Sequence, residues 1–482
     1  MVCAFSLRFS LFLLPAPGRD EATYFYWSQH FEPAYSLLLQ LLVKFAALLP
    51  ISALVSLRLP SLIGGVIVLV LLNKILKQHG FDRSLRQIVL TAVAFTPWQI
   101  YVGSILHPDN IFLIALLLAV IAESSNRYLL FSLFIGLAVL AKPTGLVILA
   151  TGILYILFLK KLPTSQKLGL IAICLFVALP VLLNLNSEML AAMAEFGRVS
   201  ESISTTEVIV IALFSLIGLG GLLLPFSAGH VIKSKWKNAI RHLLNPGKNS
   251  LLLWFAGALL ITFILAALVR NQIKGNWILP AFVLLIPLYR SEPWRKFVWT
   301  NLLFSIVLSA GMTLFFIFPG TLKDFEHSFK FVNKTYVAQA GVRENKISTT
   351  SSWENRVAEY QSLHHFQNEV QSFWMLHSKN TVHPQWLICD DYGLAAQLIF
   401  AWNKCATRLV IPADGIFFSS QMLAKKEMRG HVLVLAVHTS ANEIWSQLPA
   451  IADKKLVHHP VTGSAIEIAV MDIPITWPEN YE

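Results

Sequence analysis

Apolar runs follow one another through the first two-thirds of this chain, separated by short polar breaks. The runs at 2–17, 59–76, 87–104, 110–122, 128–141, 144–159, 168–185, 207–228, 251–269, 276–289 and 297–318 predict about eleven transmembrane helices. Several are shorter than the ~20 residues a perpendicular span needs, which points to a thinned or re-entrant region. The first run is short and carries Arg8. It reads as a span, or as a signal peptide ending near "PAPG", and either reading leaves Asp20 on the same side of the membrane. From about Gly320 the pattern becomes that of a soluble protein. The expected division is a transmembrane domain, 1–319, and a soluble domain, 320–482.

Residues 18–58 form a long first loop. Its second half, "AYSLLLQLLVKFAALL", is apolar but interrupted by Gln40 and Lys44, the pattern of a helix lying along the membrane surface. Were it a span, every later loop would change sides. In the soluble part, "QWLICDD", "TRLVIP", "HVLVLAVH" and "AIEIAVMDI" read as strands, while "YGLAAQLIFAWN" and "SANEIWSQLPAIA" read as helices. That alternation predicts a small α/β domain. No glycine-rich phosphate loop comes after any of these strands, which argues against a nucleotide site. Asp390 and Asp391 close a strand; Asp391 reads as a helix N-cap or as a functional acid.

Composition agrees with the pattern, at 55% hydrophobic and only 13% charged residues. The formal charge of +11 does not point to nucleic acid, because the cations cluster in short loops between apolar runs. Lys77, Arg83 and Arg86 sit in one such loop; Lys160, Lys161 and Lys167, then Lys233, Lys235, Lys237, Arg241 and Lys248, then Arg290, Arg295 and Lys296 occupy others. With about eleven spans these loops fall on one side, the cytoplasmic one by the positive-inside rule. The first loop and the soluble domain therefore face outward, to the periplasm if the membrane is a bacterial inner membrane. Four cysteines are too few for a disulfide framework. Cys389 and Cys405 read as a bridge or as two buried thiols.

The outward side gathers polar groups at helix ends: Asp20 and Glu21 in "GRDEATYFYWSQHF", "HPD" at 107–109, "AKPTG" at 141–145 and "RNQIKGNW" at 270–277. Charge at a membrane boundary is costly unless it meets a cavity or a partner. Carboxylates, cations and aromatics at one level suit a particular chemistry. A carboxylate takes a proton from an acceptor hydroxyl, cations hold a leaving phosphate, and Tyr24, Tyr26 and Trp27 are placed to stack on a sugar or anchor at the headgroups.

"RDEATYFYWSQHF", "RLPSLIGGVIVLVLL", "HPDNIFLIALLLAVI", "GLAVLAKPTGLVIL" and "GNWILPAFVLL", in that order, resemble the landmarks of polyprenyl-phosphate-sugar glycosyltransferases of the GT-C membrane fold. The branch they look like holds the bacterial relatives of the dolichyl-phosphate-mannose protein mannosyltransferases and the lipid A aminoarabinose transferase. The resemblance covers about residues 8–318, and "ICDDYGLAAQLIFAW" is similar to the C-terminal domain of the bacterial members. No single piece is specific; five in order are.

The resemblance implies a polytopic GT-C membrane enzyme that moves a sugar from a polyprenyl-phosphate donor to an envelope acceptor, with inversion. That reading requires no metal or other cofactor; Asp20 and Asp109 could share a divalent ion, but no dense ligand cluster appears in the sequence. Its partners would be the lipid-linked donor, the acceptor and membrane lipids. Carried over by position, Asp20 is the catalytic carboxylate and Asp109 the second acid. Lys142 falls at the family's "TK" position, where this chain has Ala141 for the Thr, and Asn276 and Trp277 match an "NW" pair. The chain departs at "FEPAYS", where relatives carry "HPP" or "EKPP": Glu32 and Pro33 remain, but the Lys and second Pro do not. Contacts to the donor phosphate are then expected from Lys142, Arg270 and Lys274, and substrate contacts from Glu21, Tyr24, Trp27, Glu32, His107 and Asn276.

Plainer roles stand beside these. Asp20 and Asp109 would serve as helix caps, Glu21 would be solvated or paired with Arg19, Lys142 would snorkel to the interface, His107 would be structural, and Arg58 would meet a lipid headgroup. Two other classes also fit a polytopic chain with charged outer loops: a lipid or solute transporter, which would show internal repeats and polar residues at mid-membrane, and a non-catalytic scaffold of the same fold.

Overall fold

The computed structural model describes residues 2–14, 16–31, 35–159, 162–185, 250–270, 275–288, 292–317, 363–377, 384, 386–389, 392–402, 408–410, 430–436, 453–458 and 465–473. The expected span at 207–228, the helix at 440–452, Asp390, Asp391 and Cys405 lie outside them. So does the expected boundary near 320.

The membrane part is an all-helical bundle. Its helices are α1 (Val2–Phe12), α2 (Arg19–Gln29), α3 (Leu37–Ala46), α4 (Ala53–Gln78), α5 (Arg83–Ala94), α6 (Pro97–Val102), α7 (Asp109–Ser124), α8 (Tyr128–Ala141), α9 (Gly145–Phe158), α10 (Thr164–Leu182), α11 (Ser250–Arg270), α12 (Gly275–Leu285) and α13 (Glu292–Ile317). Among the described residues α4 and α10 are long and apolar enough to cross a bilayer by length and composition; most of the other apolar helices are shorter.

α3 buries Leu39, Gln40, Val43 and Ala46 and leaves Leu42 and Phe45 exposed, as are Leu48 and Leu49 just beyond its end. At 10 residues it rises only about 15 Å, half of a bilayer core.

The run at 87–104 is not one helix. Pro97 has no N–H to continue the ladder, so α5 ends at Ala94 and α6 starts at Pro97, with Thr96 as N-cap accepting from the Gln99 N–H at 3.3 Å. Carbonyls freed at the break are taken by side chains from elsewhere. Arg8 donates to the Ala94 carbonyl at 3.4 Å, and Ser309 on α13 donates to that of Phe95. This explains a cation in an apolar run: Arg8 is only 3% exposed and serves the broken helix. Gly65 on α4 makes room for it, since a Cβ there would lie 3.0 Å from Arg8 Nη1. α1 packs on α4, α6 and α13 in this way.

The C-terminal part holds a five-stranded mixed sheet in the order β2-β1-β3-β5-β4. β1 (Trp386–Cys389) lies parallel to β2 (Arg408–Val410) and β3 (Gly430–Ala436); β5 (Ala465–Ile473) runs antiparallel to β3 and to β4 (Asp453–His458). The four expected strands are present. β4 is not apparent in the sequence because "DKKLVH" is charged; it is an edge strand, where lysines are common. Two helices cover the sheet, α14 (Leu363–His377), not apparent in the sequence pattern, and α15 (Tyr392–Ala401). α15 also packs along α2, which brings the C-terminal part onto the first loop.

Candidate functional site

α2 begins after Gly18, which holds the N-cap position, so Asp20 is not the cap. Glu21 reaches back to accept from the Gly18 N–H at 3.1 Å, closing the first turn. Asp20 is exposed, and among the described residues no hydrogen bond or ion pair engages its carboxylate.

Glu21 is the opposite case. It is 1% exposed. Arg58 of α4 donates to both of its oxygens, Nε to Oε1 and Nη2 to Oε2, at 2.9 Å each, and the Leu106 N–H donates to Oε1 at 2.9 Å. The remaining guanidinium protons go to the carbonyls of Phe12 and Leu14 from Nη1, at 2.8 and 2.7 Å, and of Ala16 from Nη2, at 2.7 Å. All five N–H donors of an arginine are thereby used. Two expectations are corrected. Glu21 is neither solvated nor open to a substrate, because its lone pairs are taken by Arg58 and two backbone amides. Arg58 meets no lipid headgroup, because it is 0% exposed beneath the connection between α1 and α2.

A second charged group gathers at the same end of the bundle. Asp109, the first residue of α7, is fully buried; Lys142 Nζ lies 2.5 Å from its Oδ1, Trp98 Nε1 donates to its Oδ2 at 3.2 Å, and His107 Nδ1 stands 3.4 Å from the same oxygen. Lys142 takes an extended conformation as the C-cap of α8, which the neighbouring Pro143 favours. The turn there is tight: a Cβ on Gly145 would fall 2.2 Å from the Ala138 carbonyl oxygen. Lys142 is 4% exposed, so it does not snorkel; its charge is turned inward on Asp109. Asn110 ties this corner to its neighbours, donating to the carbonyls of Val102 at 2.7 Å and Ser61 at 3.3 Å.

Near Asp20 and Asp109 lie aromatic rings of the first loop. Tyr24, Trp27 and Tyr35 pack on one another, with centroids 5.6 Å apart for Tyr24–Trp27, 5.3 Å for Trp27–Tyr35 and 6.3 Å for Tyr24–Tyr35. Tyr24 and Trp27 are nearly buried, so their faces contact each other and Tyr35 rather than standing open as a stacking platform. Burial first, then the negative charge nearby, pushes both phenols up from their ordinary value, and the charges of Asp20 and Asp109 both act on each. The charges of Asp20 and Asp109 thus both bear on this pair of phenols.

Of the other expected site residues, His107 borders this cluster with its ring 14% exposed. Arg270 ends α11 and Asn276 lies in the first turn of α12, but their side chains are not described, while Glu32 and Lys274 lie outside the described residues. Sequence reasoning missed Tyr35, Trp98 and Ser61. Trp98 carried a usable signal, an aromatic donor just after a helix-breaking proline.

Set against solved structures, the chain matches ArnT, a lipid A aminoarabinose transferase, from Cupriavidus metallidurans bound to undecaprenyl phosphate, with a TM-score of 0.53 and 13% identity over 97% of this chain and 96% of that one. It also matches ArnT of the same organism in the apo state, with a TM-score of 0.51 and 12% identity over 95% of each chain. The chain has the GT-C fold. No family model and no curated protein matches it by sequence. The GT-C fold makes the chain a polytopic membrane protein.

Proposed function

We propose that the chain is an inverting glycosyltransferase that moves a sugar from a polyprenyl-phosphate donor to an envelope acceptor on the outer, periplasmic face of an inner membrane, with a membrane unit over 1–319 and a soluble unit over 320–482. The observation that carries this reading is the position of Asp20: an exposed carboxylate at the start of a helix, near the phenols of buried Tyr24 and half-buried Tyr35 and an Asp109–Lys142 pair, in the fold of a protein solved with undecaprenyl phosphate.

An acceptor oxygen attacks the anomeric carbon as the bond from that carbon to the lipid phosphate oxygen breaks, and the polyprenyl phosphate leaves. If the acceptor is a hydroxyl, Asp20 takes its proton in the same step; if it is already a phosphate, Asp20 only orients it. Tyr35, half-buried and hydrogen-bonded to Tyr24, offers an O–H donor to the developing phosphate charge. Lys142 supplies positive charge at the floor of the site, with Asp109 and His107 fixing its place, and Arg270 and Lys274 serve the leaving phosphate in place of the lysine missing near Pro33. Asn276 and Glu32 contact the sugar. The scheme uses no metal or other cofactor.

The test is transfer from membranes enriched in polyprenyl-phosphate sugars, comparing wild type with Asp20→Asn. Loss of transfer in a variant that remains folded supports the reading. Unchanged transfer would leave Asp20 without a chemical role and overturn the reading.

A further inference from the structure

A carboxylate with no side-chain partner is aimed by its backbone, and the backbone ahead of Asp20 is gripped from two directions. From the bundle, Arg58 holds the carbonyls of Phe12, Leu14 and Ala16. From the C-terminal part, Gln397 of α15 donates its Nε2–H to the carbonyl of Pro17 at 2.9 Å. The Pro17 carbonyl precedes the first helical hydrogen bond of α2, which runs from the Ala22 N–H to the Gly18 carbonyl at 3.0 Å, so α2 itself leaves it unpaired. Gln397 is 2% exposed. Beside it, Phe400 meets Phe25 of α2 edge to face with centroids 5.0 Å apart, so the contact extends along the helix.

We infer that Gln397 is a positioning residue for Asp20: by pinning the Pro17 carbonyl, three residues before the carboxylate, it makes the C-terminal sheet part of the apparatus that aims the base. The inference rests on the proposed role of Asp20. Its physical content is that removing one amide leaves a buried carbonyl unsatisfied and frees the turn, and that small misplacement of a reacting group costs rate more than affinity.

The experiment uses the full-length protein in detergent and compares wild type, Gln397→Leu, Gln397→His and Phe400→Leu. Histidine places an N–H near the reach of the glutamine amide, and Phe400→Leu loosens packing while keeping the hydrogen bond. Two readouts are taken: hydrogen–deuterium exchange of the amides in 18–24, and transfer kinetics with varied donor and acceptor. The expected result is faster exchange and a kcat lower by roughly tenfold in Gln397→Leu, with both KM values within about twofold. Gln397→His should restore both readouts, and Phe400→Leu should move neither by a comparable amount. Unchanged exchange in Gln397→Leu overturns the inference, and so does faster exchange with unchanged kcat, or a change confined to the acceptor KM. If wild type transfers nothing, the proposed function fails by itself, and the exchange readout still decides whether Gln397 holds the turn.

Discussion

Arg58 and Glu21 form a buried two-point pair, 2.9 Å at each contact, in which the arginine also gathers the carbonyls of Phe12, Leu14 and Ala16. The pair is therefore a fastener that ties α1, α2, α4 and the loop before α7 into one corner. The exposed residue between its parts, Asp20, inherits its position from this corner.

Removing one partner of such a pair strands a buried charge, which costs about 3–5 kcal/mol. Glu21→Gln and Arg58→Met should each lower the unfolding midpoint in detergent well below wild type. Arg58→Lys keeps the charge but lacks the planar fork, and should recover only part of the loss. A wild-type midpoint in all three would show that the pair does not hold the corner.

Asp20→Asn should behave differently. The carboxylate is exposed and unengaged among the described residues, so the substitution should change stability by no more than about 0.5 kcal/mol, while transfer to a hydroxyl acceptor falls by roughly 10²–10⁴-fold. Thermal unfolding and transfer, measured on one preparation, separate the two effects.

Asp109 and Lys142 should couple. Asp109→Asn and Lys142→Met each leave the other member of a buried pair without its counter-charge, so the double variant should be less destabilised than the two single losses added together, with a coupling of roughly 0.5–3 kcal/mol. Additive losses would mean that the two charges act separately.

The turn that delivers Lys142 leaves no room at Gly145. Alanine there would drive its Cβ into the backbone of Ala138 and Val139, and backbone cannot swing away as a side-chain end does. Gly145→Ala should cost about 1–3 kcal/mol or more, read as a lowered unfolding midpoint. Gly169, whose added Cβ would meet nothing within 4 Å, is the control.

Tyr24 and Tyr35 have their phenol pKa values raised in the fold above the ordinary value of 10.0. The neutral forms are favoured in the folded state, so the contribution to stability is complete below pH ~10 and is lost as pH rises above it. Difference absorbance near the tyrosinate band should show no ionisation of either residue at pH ~10, the same trace being given by Tyr24→Phe and Tyr35→Phe. A smaller signal in either variant at that pH would contradict the burial seen here.

By itself the sequence determined the class of the molecule. Long apolar runs admit only a membrane-spanning helical bundle, because backbone polar groups in lipid must be satisfied within the segment. Strand and helix patterns beyond 380 specified the α/β part, and five ordered landmarks pointed to the GT-C fold with Asp20 on its first loop. What it left undecided were pairings between residues far apart in the chain: Glu21 with Arg58, 37 positions apart, Asp109 with Lys142, 33 apart, and Gln397 with Pro17, 380 apart. Periodicity and capping are local and can be read along a window, whereas a buried charge takes whichever partner the packed helices bring within about 3 Å. That is why two adjacent acids, Asp20 and Glu21, alike in the sequence, have opposite roles in the fold: one turns out to solvent, and the other turns in to Arg58.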